Sequence, residues 1–125
     1  MPRFLTMIRL EENAEFPDPG PEFGERMGAL LEEITKAGVM LDTAGLLPTA
    51  QATRVTWEGG KLRYTDGPFT ETKEVVAGYS MIQAKDKAEA LEWTNRFLQL
   101  HPAGWTITAE VREIEEDTTP KVDGA

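Results

Sequence analysis

The sequence predicts an α+β fold: a ferredoxin-like split βαβ sheet with two helices on one face and an inserted β-hairpin. Two segments carry apolar residues at helical spacing, and each lies between strand-like segments. A Gly59-Gly60 pair separates two short strand-like runs in the middle of the chain. With 125 residues the chain is long enough for one core. We therefore predict one domain over residues 1–115, followed by an acidic, flexible tail over residues 116–125.

The first half of the chain predicts a strand, a loop, a helix and a second strand. Residues 4–10 are a strand with apolar side chains on both faces, and the proline-rich, acidic residues 11–22 are a loop. Pro21 suits the first turn of a helix, and Gly38 suits its C-terminal end. The apolar stripe of this helix consists of Phe23, Met27, Leu30, Leu31 and Ile34. The second strand starts at Val39.

The second half predicts the hairpin and then a second strand–helix–strand unit. Residues 54–58 and 61–65 pair across the two glycines, and residues 75–84 form a strongly apolar strand. Asp86 and Glu89 resemble a helix-capping box. The inward-facing residues of the helix are predicted to be Ala90, Leu91, Phe97 and Leu98, with Trp93 nearby. From Trp105 to Val111 apolar and polar residues alternate, which predicts a half-buried last strand.

The composition excludes several classes of function. A net charge of -9 argues against binding to nucleic acid and to an anionic membrane surface. With no cysteine and one histidine, the chain has no disulfide, no thiolate nucleophile and no multi-histidine metal site. There is no phosphate-binding glycine loop or dinucleotide fingerprint, so no cofactor is predicted. No segment has the apolar length of a signal peptide or a membrane span, and a soluble cytoplasmic protein is expected.

The pattern of apolar residues on the strands predicts a homodimer. Two helices cover one face of the sheet, yet the first strand has Leu5 and Met7 on one side and Phe4 and Ile8 on the other. Leaving an apolar sheet face in water costs roughly 25 cal/mol per Å². A second copy packed face to face would remove that cost and enclose a cleft between the two sheets.

Residues 66–74 combine a turn signal, an apolar anchor and charged side chains within a short segment. Asp66 and Gly67 favour a tight turn, Pro68 fixes its backbone, and Phe69 supplies an apolar anchor. The charges of Glu71 and Lys73 follow just before a buried strand. One interpretation is a structural turn with an ordinary surface ion pair. The other is a ligand site, with Asp66, Glu71 and Lys73 as candidate catalytic residues and Phe69 as a candidate ligand contact.

Two further residues are candidate ligand contacts. Arg9 lies within an otherwise apolar strand and could bind an anion, or it could be a strand-end residue whose charge reaches solvent. His101 ends the second helix just before Pro102. It could contact a ligand, or it could simply interact favourably with the helix dipole. The three tryptophans are expected to be core or interface residues.

The run Asp66-Gly67-Pro68-Phe69, with Lys73-Glu74 and Gly78-Tyr79 behind it, resembles the signature of the DGPF group. These are YCII-related proteins of the dimeric α+β barrel superfamily. The Gly45-Leu46-Leu47-Pro48 segment, the helix over residues 88–97 and the last strand over residues 111–114 are also similar. The resemblance covers about residues 3–115.

The resemblance implies a ferredoxin-like fold, dimerisation through the sheets into a dimeric α+β barrel, and a cleft between sheet and loops. It implies no established reaction, although the wider superfamily includes lactone isomerases and monooxygenases that use neither metal nor flavin. The YCII branch is associated with a His–Asp pair whose histidine lies early in the first helix. This chain has Pro21-Glu22-Phe23-Gly24-Glu25 there, so that pair cannot be carried over.

Two functions remain open at this point. The first is a cofactor-independent enzyme or binder of a small molecule, with its site at the dimer interface; an acidic or lactone-like compound is the substrate class expected by analogy. The second is a regulatory or interaction module associated with an extracytoplasmic-function sigma factor, because some DGPF proteins resemble companions of such sigma factors. The acidic loop over residues 11–22 would then contact a basic partner.

Overall fold

Two helices and six strands make up the computed structural model, which describes residues 1–70 and 72–116. In chain order the elements are β1 (Arg3–Leu10), α1 (Glu22–Lys36), β2 (Met40–Gly45), β3 (Thr53–Glu58), β4 (Lys61–Asp66), β5 (Val75–Gln83), α2 (Lys87–Gln99) and β6 (Thr108–Glu113). A short 3₁₀ helix, Thr49–Gln51, connects β2 to β3. Glu71 and residues 117–125 of the predicted tail lie outside the described residues.

Four strands form one antiparallel sheet, and the hairpin forms a second. The order in the main sheet is β2-β5-β1-β6, and within the described residues β3 pairs only with β4. Every neighbouring pair in the main sheet is antiparallel. This is the strand order of a split βαβ unit with a hairpin inserted between its second and third strands, so the predicted ferredoxin-like α+β fold is confirmed. Neither described helix is long and apolar enough to cross a membrane.

Local signals in the sequence set the ends of the elements. Gly38 follows α1 with a φ of 74°, a left-handed conformation that favours glycine. The Oδ1 of Asp86 accepts a hydrogen bond from the Glu89 backbone at 2.9 Å and caps α2. The Glu89 carboxylate accepts in return from the Lys85 backbone at 3.3 Å, one residue before the position that a capping box would use.

The core lies between the helices and the face of the sheet that carries Phe4. Its buried residues are Phe4, Ile34, Val39, Ile82, Ala84 and Ala90. Two details of the predicted second unit are wrong. Leu91 is 39% exposed, because the buried side of α2 runs through Ala90 and Thr94 instead. Trp105 lies ahead of β6, where its indole donates a hydrogen bond to the Pro17 carbonyl at 2.7 Å.

The opposite face of the main sheet carries a second set of apolar side chains. Leu5 pairs with Met81 across the strands, and Met7 pairs with Tyr79. All four are only partly buried in the single chain. This face, which we call the open face, is the one that the sequence predicted to be covered by a second copy.

The hairpin also presents an apolar face. Gly59 and Gly60 have φ values of 59° and 77°, as the predicted tight turn requires. Val55 pairs with Tyr64, and Trp57 with Leu62, so the four side chains lie on one side of the ribbon. Trp57 is 70% exposed and Tyr64 is 65% exposed.

Candidate functional site

A cavity of about 240 Å³ lies between the main sheet and both helices; we call it the inner cavity. Leu30 and Ile34 of α1 and Trp93 and Phe97 of α2 form its helical walls. The sheet side includes Ile8. The walls are therefore mainly aliphatic and aromatic, the lining that is typical of pockets for small organic molecules.

Two glycines explain why the helices do not fill this space. Gly45 of β2 and Gly78 of β5 are cross-strand partners, and both border the inner cavity. A Cβ atom at Gly78 would lie 2.9 Å from the Ala44 carbonyl oxygen, so a side chain there would force the strands apart. A Cβ atom at Gly45 would meet no other atom within 4 Å. The paired glycines thus leave a hollow beneath the helices.

Four hydroxyl-bearing residues border the inner cavity: Thr6, Thr43, Ser80 and Thr94. The Thr43 hydroxyl donates to the Tyr79 carbonyl at 3.0 Å, and the Thr94 hydroxyl donates to the Ala90 carbonyl at 2.9 Å. Thr6 differs from both. It is 4% exposed, and its Oγ1 has no hydrogen-bond partner among the described residues. An unpaired buried hydroxyl is unusual, because it loses its bonds to water without replacing them.

No lysine, arginine, histidine, aspartate or glutamate among the described residues borders the inner cavity. Tyr79 is the one titratable residue among the described residues of its lining, but its hydroxyl lies on the open face and donates to Asp42 at 3.1 Å. That hydrogen bond, together with the negative charge of Asp42, raises the pKa of Tyr79. The inner cavity is therefore uncharged over the part of the chain that the structure describes.

The turn at residues 66–69 is held by close backbone packing. The Gly67 backbone N–H donates to the Ala52 carbonyl at 2.8 Å. A Cβ atom at this position would lie 1.7 Å from the Thr49 carbonyl oxygen, which only glycine avoids. The Gly67–Pro68 peptide bond is cis. Phe69 is 8% exposed, so it anchors the turn as the sequence predicted.

A second cavity of about 290 Å³, the outer cavity, lies beside this turn. Phe69, Lys73 and the acidic residues Glu11 and Glu12 are among its lining. The Glu12 carboxylate accepts hydrogen bonds from both the hydroxyl and the backbone N–H of Thr49, the latter at 2.7 Å. These two bonds, the hydroxyl first, lower the pKa of Glu12. Glu12 thereby connects the loop after β1 to the 3₁₀ helix.

The structure separates the three candidate catalytic residues from the inner cavity, as far as it describes them. Asp66 accepts a hydrogen bond from the Thr53 hydroxyl at 2.9 Å and closes the base of the hairpin. Lys73 is exposed and borders the outer cavity. Glu71 lies outside the described residues. Their catalytic role stays a prediction.

The candidate ligand contacts occupy three different places. Phe69 borders the outer cavity, where the guanidinium of Arg54 lies 3.7 Å from its ring centroid. Arg9 pairs with Glu110 at 3.2 Å and with Glu74 at 3.8 Å. Neither Phe69 nor Arg9 borders the inner cavity.

His101 lies in an aromatic cluster at the end of α2. Its ring centroid lies 5.0 Å from that of Phe97, 5.2 Å from that of Phe23 and 5.6 Å from that of Trp105. Its Nδ1 lies 3.1 Å from the Leu98 carbonyl oxygen. Phe97 belongs both to this cluster and to the wall of the inner cavity, which places His101 one residue away from the cavity.

The sequence analysis did not single out Thr6 or the two glycines that border the inner cavity. One signal was available: Thr6 is the polar residue in the apolar run Phe4-Leu5-Thr6-Met7-Ile8, on the same face as Phe4. A hydroxyl at an inward strand position is a recognisable departure from the pattern. Nothing in the sequence, however, shows whether such a hydroxyl has a partner.

A family model and an uncharacterised protein both match the sequence of this chain. The model of the YCII-related domain matches residues 3–115, almost all of the described chain. An uncharacterised protein of Rhizobium meliloti (strain 1021) is 31% identical over 88 residues, which cover 70% of this chain and 69% of the relative. The resemblance drawn from residues 66–79 is thus confirmed at the level of the family, and the chain belongs to the YCII-related domain family.

Proposed function

We propose that this protein binds a small, largely apolar molecule in the inner cavity. The observation that carries the proposal is the cavity of about 240 Å³ itself, whose walls are mainly aliphatic and aromatic and carry no charged side chain among the described residues. An apolar cavity of roughly 150 Å³ suffices to bind benzene, and pockets for larger ligands start at roughly 300 Å³. The volume therefore fits a molecule with one substituted ring.

The lining favours binding over acid–base catalysis within the inner cavity. General acid–base chemistry needs a titratable group within hydrogen-bonding distance of the substrate. No carboxylate, imidazole or amine of the described chain borders this cavity. Cofactor-independent catalysis by Asp66, Glu71 or Lys73 in a cleft at the dimer interface remains a separate prediction; Lys73 borders the outer cavity, whereas Asp66 does not.

Filling the inner cavity tests the binding proposal. Toluene at increasing concentration is expected to raise the melting temperature of the wild-type protein, since a ligand that binds only the folded state stabilises it. Gly45→Val places methyl groups where a Cβ atom meets nothing within 4 Å, and it should weaken the effect of toluene. Gly28→Ala on α1, which also has open space but does not border the cavity, is the control. An equal toluene effect in all three proteins would contradict the proposal.

We also propose that the chain forms a homodimer through the open face. Leu5, Met7, Tyr79 and Met81 give that face its apolar character, and both helices pack on the other side. The apolar face of the hairpin exposes on the order of 400 Å² more, a size at which exposed patches on monomers are commonly functional. A symmetric pair of identical chains is the simplest way to cover both surfaces.

Light scattering after size exclusion tests the homodimer. Met7→Glu places a charge on the open face and is expected to give a monomer, because a buried unpaired carboxylate is costly. Leu47→Glu is the matched control: Leu47 is 76% exposed and lies in the loop after β2, so this variant should remain a dimer. A monomeric wild-type protein at micromolar concentration would contradict the proposal.

The sigma-factor alternative depends on the acidic loop over residues 11–22. Two carboxylates of this loop accept hydrogen bonds from the chain itself. Glu12 accepts from the Thr49 backbone N–H, and Asp18 accepts from the Gly20 backbone N–H at 2.9 Å. This leaves fewer carboxylates for a partner and favours the binding proposal. A pull-down from native lysate that recovers a sigma factor at stoichiometric yield, and loses it after charge reversal of the loop, would favour the alternative instead.

A further inference from the structure

The β3–β4 hairpin has little support from the rest of its own chain. Among the described residues β3 and β4 pair only with each other, and every residue from 53 to 66 except Thr56 is exposed. A two-stranded hairpin alone in water is marginally stable at best. With six residues in each strand and a rise of about 3.3 Å per residue, the hairpin is roughly 20 Å long. It therefore needs a surface to pack against.

We infer that two hairpins, one from each copy of the chain, pack face to face and in opposite directions. This arrangement rests on the proposed homodimer, because it specifies how the second copy covers the hairpin. The tip of each hairpin, at Gly59-Gly60, then lies beside the base of the other, at Thr53 and Asp66. The same patch meets itself in such a contact, as the twofold symmetry of a homodimer requires.

The apolar face of the hairpin provides the contact. Val55, Trp57, Leu62 and Tyr64 lie on this face and are 56%, 70%, 57% and 65% exposed. Tryptophan and tyrosine are enriched among the residues that contribute most of the binding energy of protein interfaces. Apolar surface on the order of 400 Å² from each hairpin is about half of the roughly 800 Å² per partner that a stable interface buries. The open face supplies the rest.

The charge of the hairpin favours a second copy as the occupant. Residues 53–66 contain three basic and two acidic residues, a net charge of +1; the whole chain carries -9, so its other residues carry -10. A slightly basic hairpin fits an acidic protein surface. Nucleic acid has a far denser negative charge, which the other residues of this chain oppose. A second copy is acidic too, but it brings its own basic hairpin.

Charges at the tip and at the base set the direction of packing. Lys61 follows the turn at the tip, and its ammonium group has no partner among the described residues. At the base, the outer cavity lies beside residues 66–69, and the exposed carboxylate of Glu11 borders it without a partner in the described chain. Hairpins in the same direction would place Lys61 beside Lys61. In opposite directions, Lys61 of one copy approaches Glu11 of the other.

The dissociation constant of the dimer, measured by light scattering over a dilution series, tests the apolar contact. Trp57→Ala should raise it about 30-fold or more, the loss that is typical of a central interface tryptophan. Trp57 is 70% exposed in the single chain, so its truncation leaves the core intact. Leu47→Ala is the matched control, because Leu47 is 76% exposed but lies in the loop after β2, and the constant should not change.

A charge swap tests the direction of packing. Lys61→Glu and Glu11→Lys should each raise the dissociation constant about fivefold, and the double variant should restore the wild-type value. Glu11→Lys makes the chain less acidic, so weaker association in this variant comes from the local contact and not from net charge. Lys87→Glu on α2 changes the net charge as Lys61→Glu does, and its effect should be smaller.

The possible failures are distinguishable. A monomeric wild-type protein overturns the proposed homodimer and the pairing of hairpins together. If Met7→Glu dissociates the dimer but Trp57→Ala leaves the constant unchanged, a partner other than a second copy covers the hairpin, and only the pairing of hairpins is overturned. If Trp57→Ala weakens the dimer but the double charge variant does not recover, the opposite direction is overturned.

Discussion

Replacing Thr6 by valine is expected to stabilise the ligand-free protein, although most substitutions in a core destabilise it. Valine and threonine have the same branched shape, so the substitution exchanges a hydroxyl for a methyl group and leaves no large cavity. Thr6 is 4% exposed, and its hydroxyl has no partner among the described residues, so the folded state loses the hydration of this group without compensation.

The size of the effect follows from that loss. A buried hydroxyl without a hydrogen bond costs about 1–3 kcal/mol in protein mutational data, and a buried methyl group adds a further gain of about 0.8 kcal/mol. Part of this gain disappears if a water molecule reaches the hydroxyl through the inner cavity. We therefore expect the free energy of unfolding to rise by about 1–2 kcal/mol. For a domain of this size the melting temperature should rise by roughly 3–5 °C per kcal/mol.

Urea unfolding at fixed protein concentration measures the change. The midpoint should move to higher urea with an unchanged slope, which shows a change in stability alone. Thr94→Val is the matched control, because its hydroxyl donates to the Ala90 carbonyl at 2.9 Å in the same part of the core. It should lower stability by about 0.5–1.5 kcal/mol. If Thr6→Val lowers stability by a similar amount, the Thr6 hydroxyl has a hydrogen-bond partner in the folded protein and the expected gain is wrong.

Three further predictions concern the turn, a helical glycine and the acidic loop. Gly67→Ala should lower the free energy of unfolding by about 3 kcal/mol or more, because its Cβ atom would lie 1.7 Å from the Thr49 carbonyl oxygen. A urea midpoint equal to that of the wild-type protein would contradict this close packing. Gly28 lies on the exposed side of α1, and a Cβ atom there would meet no other atom within 4 Å. Gly28→Ala should therefore raise the free energy of unfolding by about 0.5–1 kcal/mol, and a lowered value would contradict this. Glu12 has a lowered pKa in the folded state, so its contribution is complete above the unfolded value of 4.5 and disappears as the pH falls through the folded pKa. Unfolding measured across pH should show wild type more stable than Glu12→Gln above that value, with the two converging in acid; a gap that widens in acid would contradict the assignment.

Local signals in the sequence predicted most of the fold because each depends on nearby atoms. Gly59 and Gly60 are required by the backbone of their own turn, and Asp86 caps the helix that starts at the next residue. The helix faces were harder to predict. Leu91 is apolar, yet the turn of α2 brings Thr94 into the core instead, and only the docking of the whole helix decides between them.

The candidate site was predicted less well, for a related reason. The turn at residues 66–69 was recognised because its chemistry is contiguous in the sequence. The inner cavity brings together Thr6, Gly45 and Gly78 from three strands, and no local pattern connects them. A cavity forms where packed side chains leave space unfilled. It can therefore be located only when the positions of the helices relative to the sheet are known.

Mapping of amide chemical shifts on addition of toluene shows where a small apolar molecule binds to this protein. The proposed binding site is the inner cavity between the sheet and the helices. We expect the largest shifts at Ile8, Gly45 and Gly78, which border that cavity on three neighbouring strands. Largest shifts at Phe69 and Lys73 beside the outer cavity, or no saturable shifts anywhere, would contradict it.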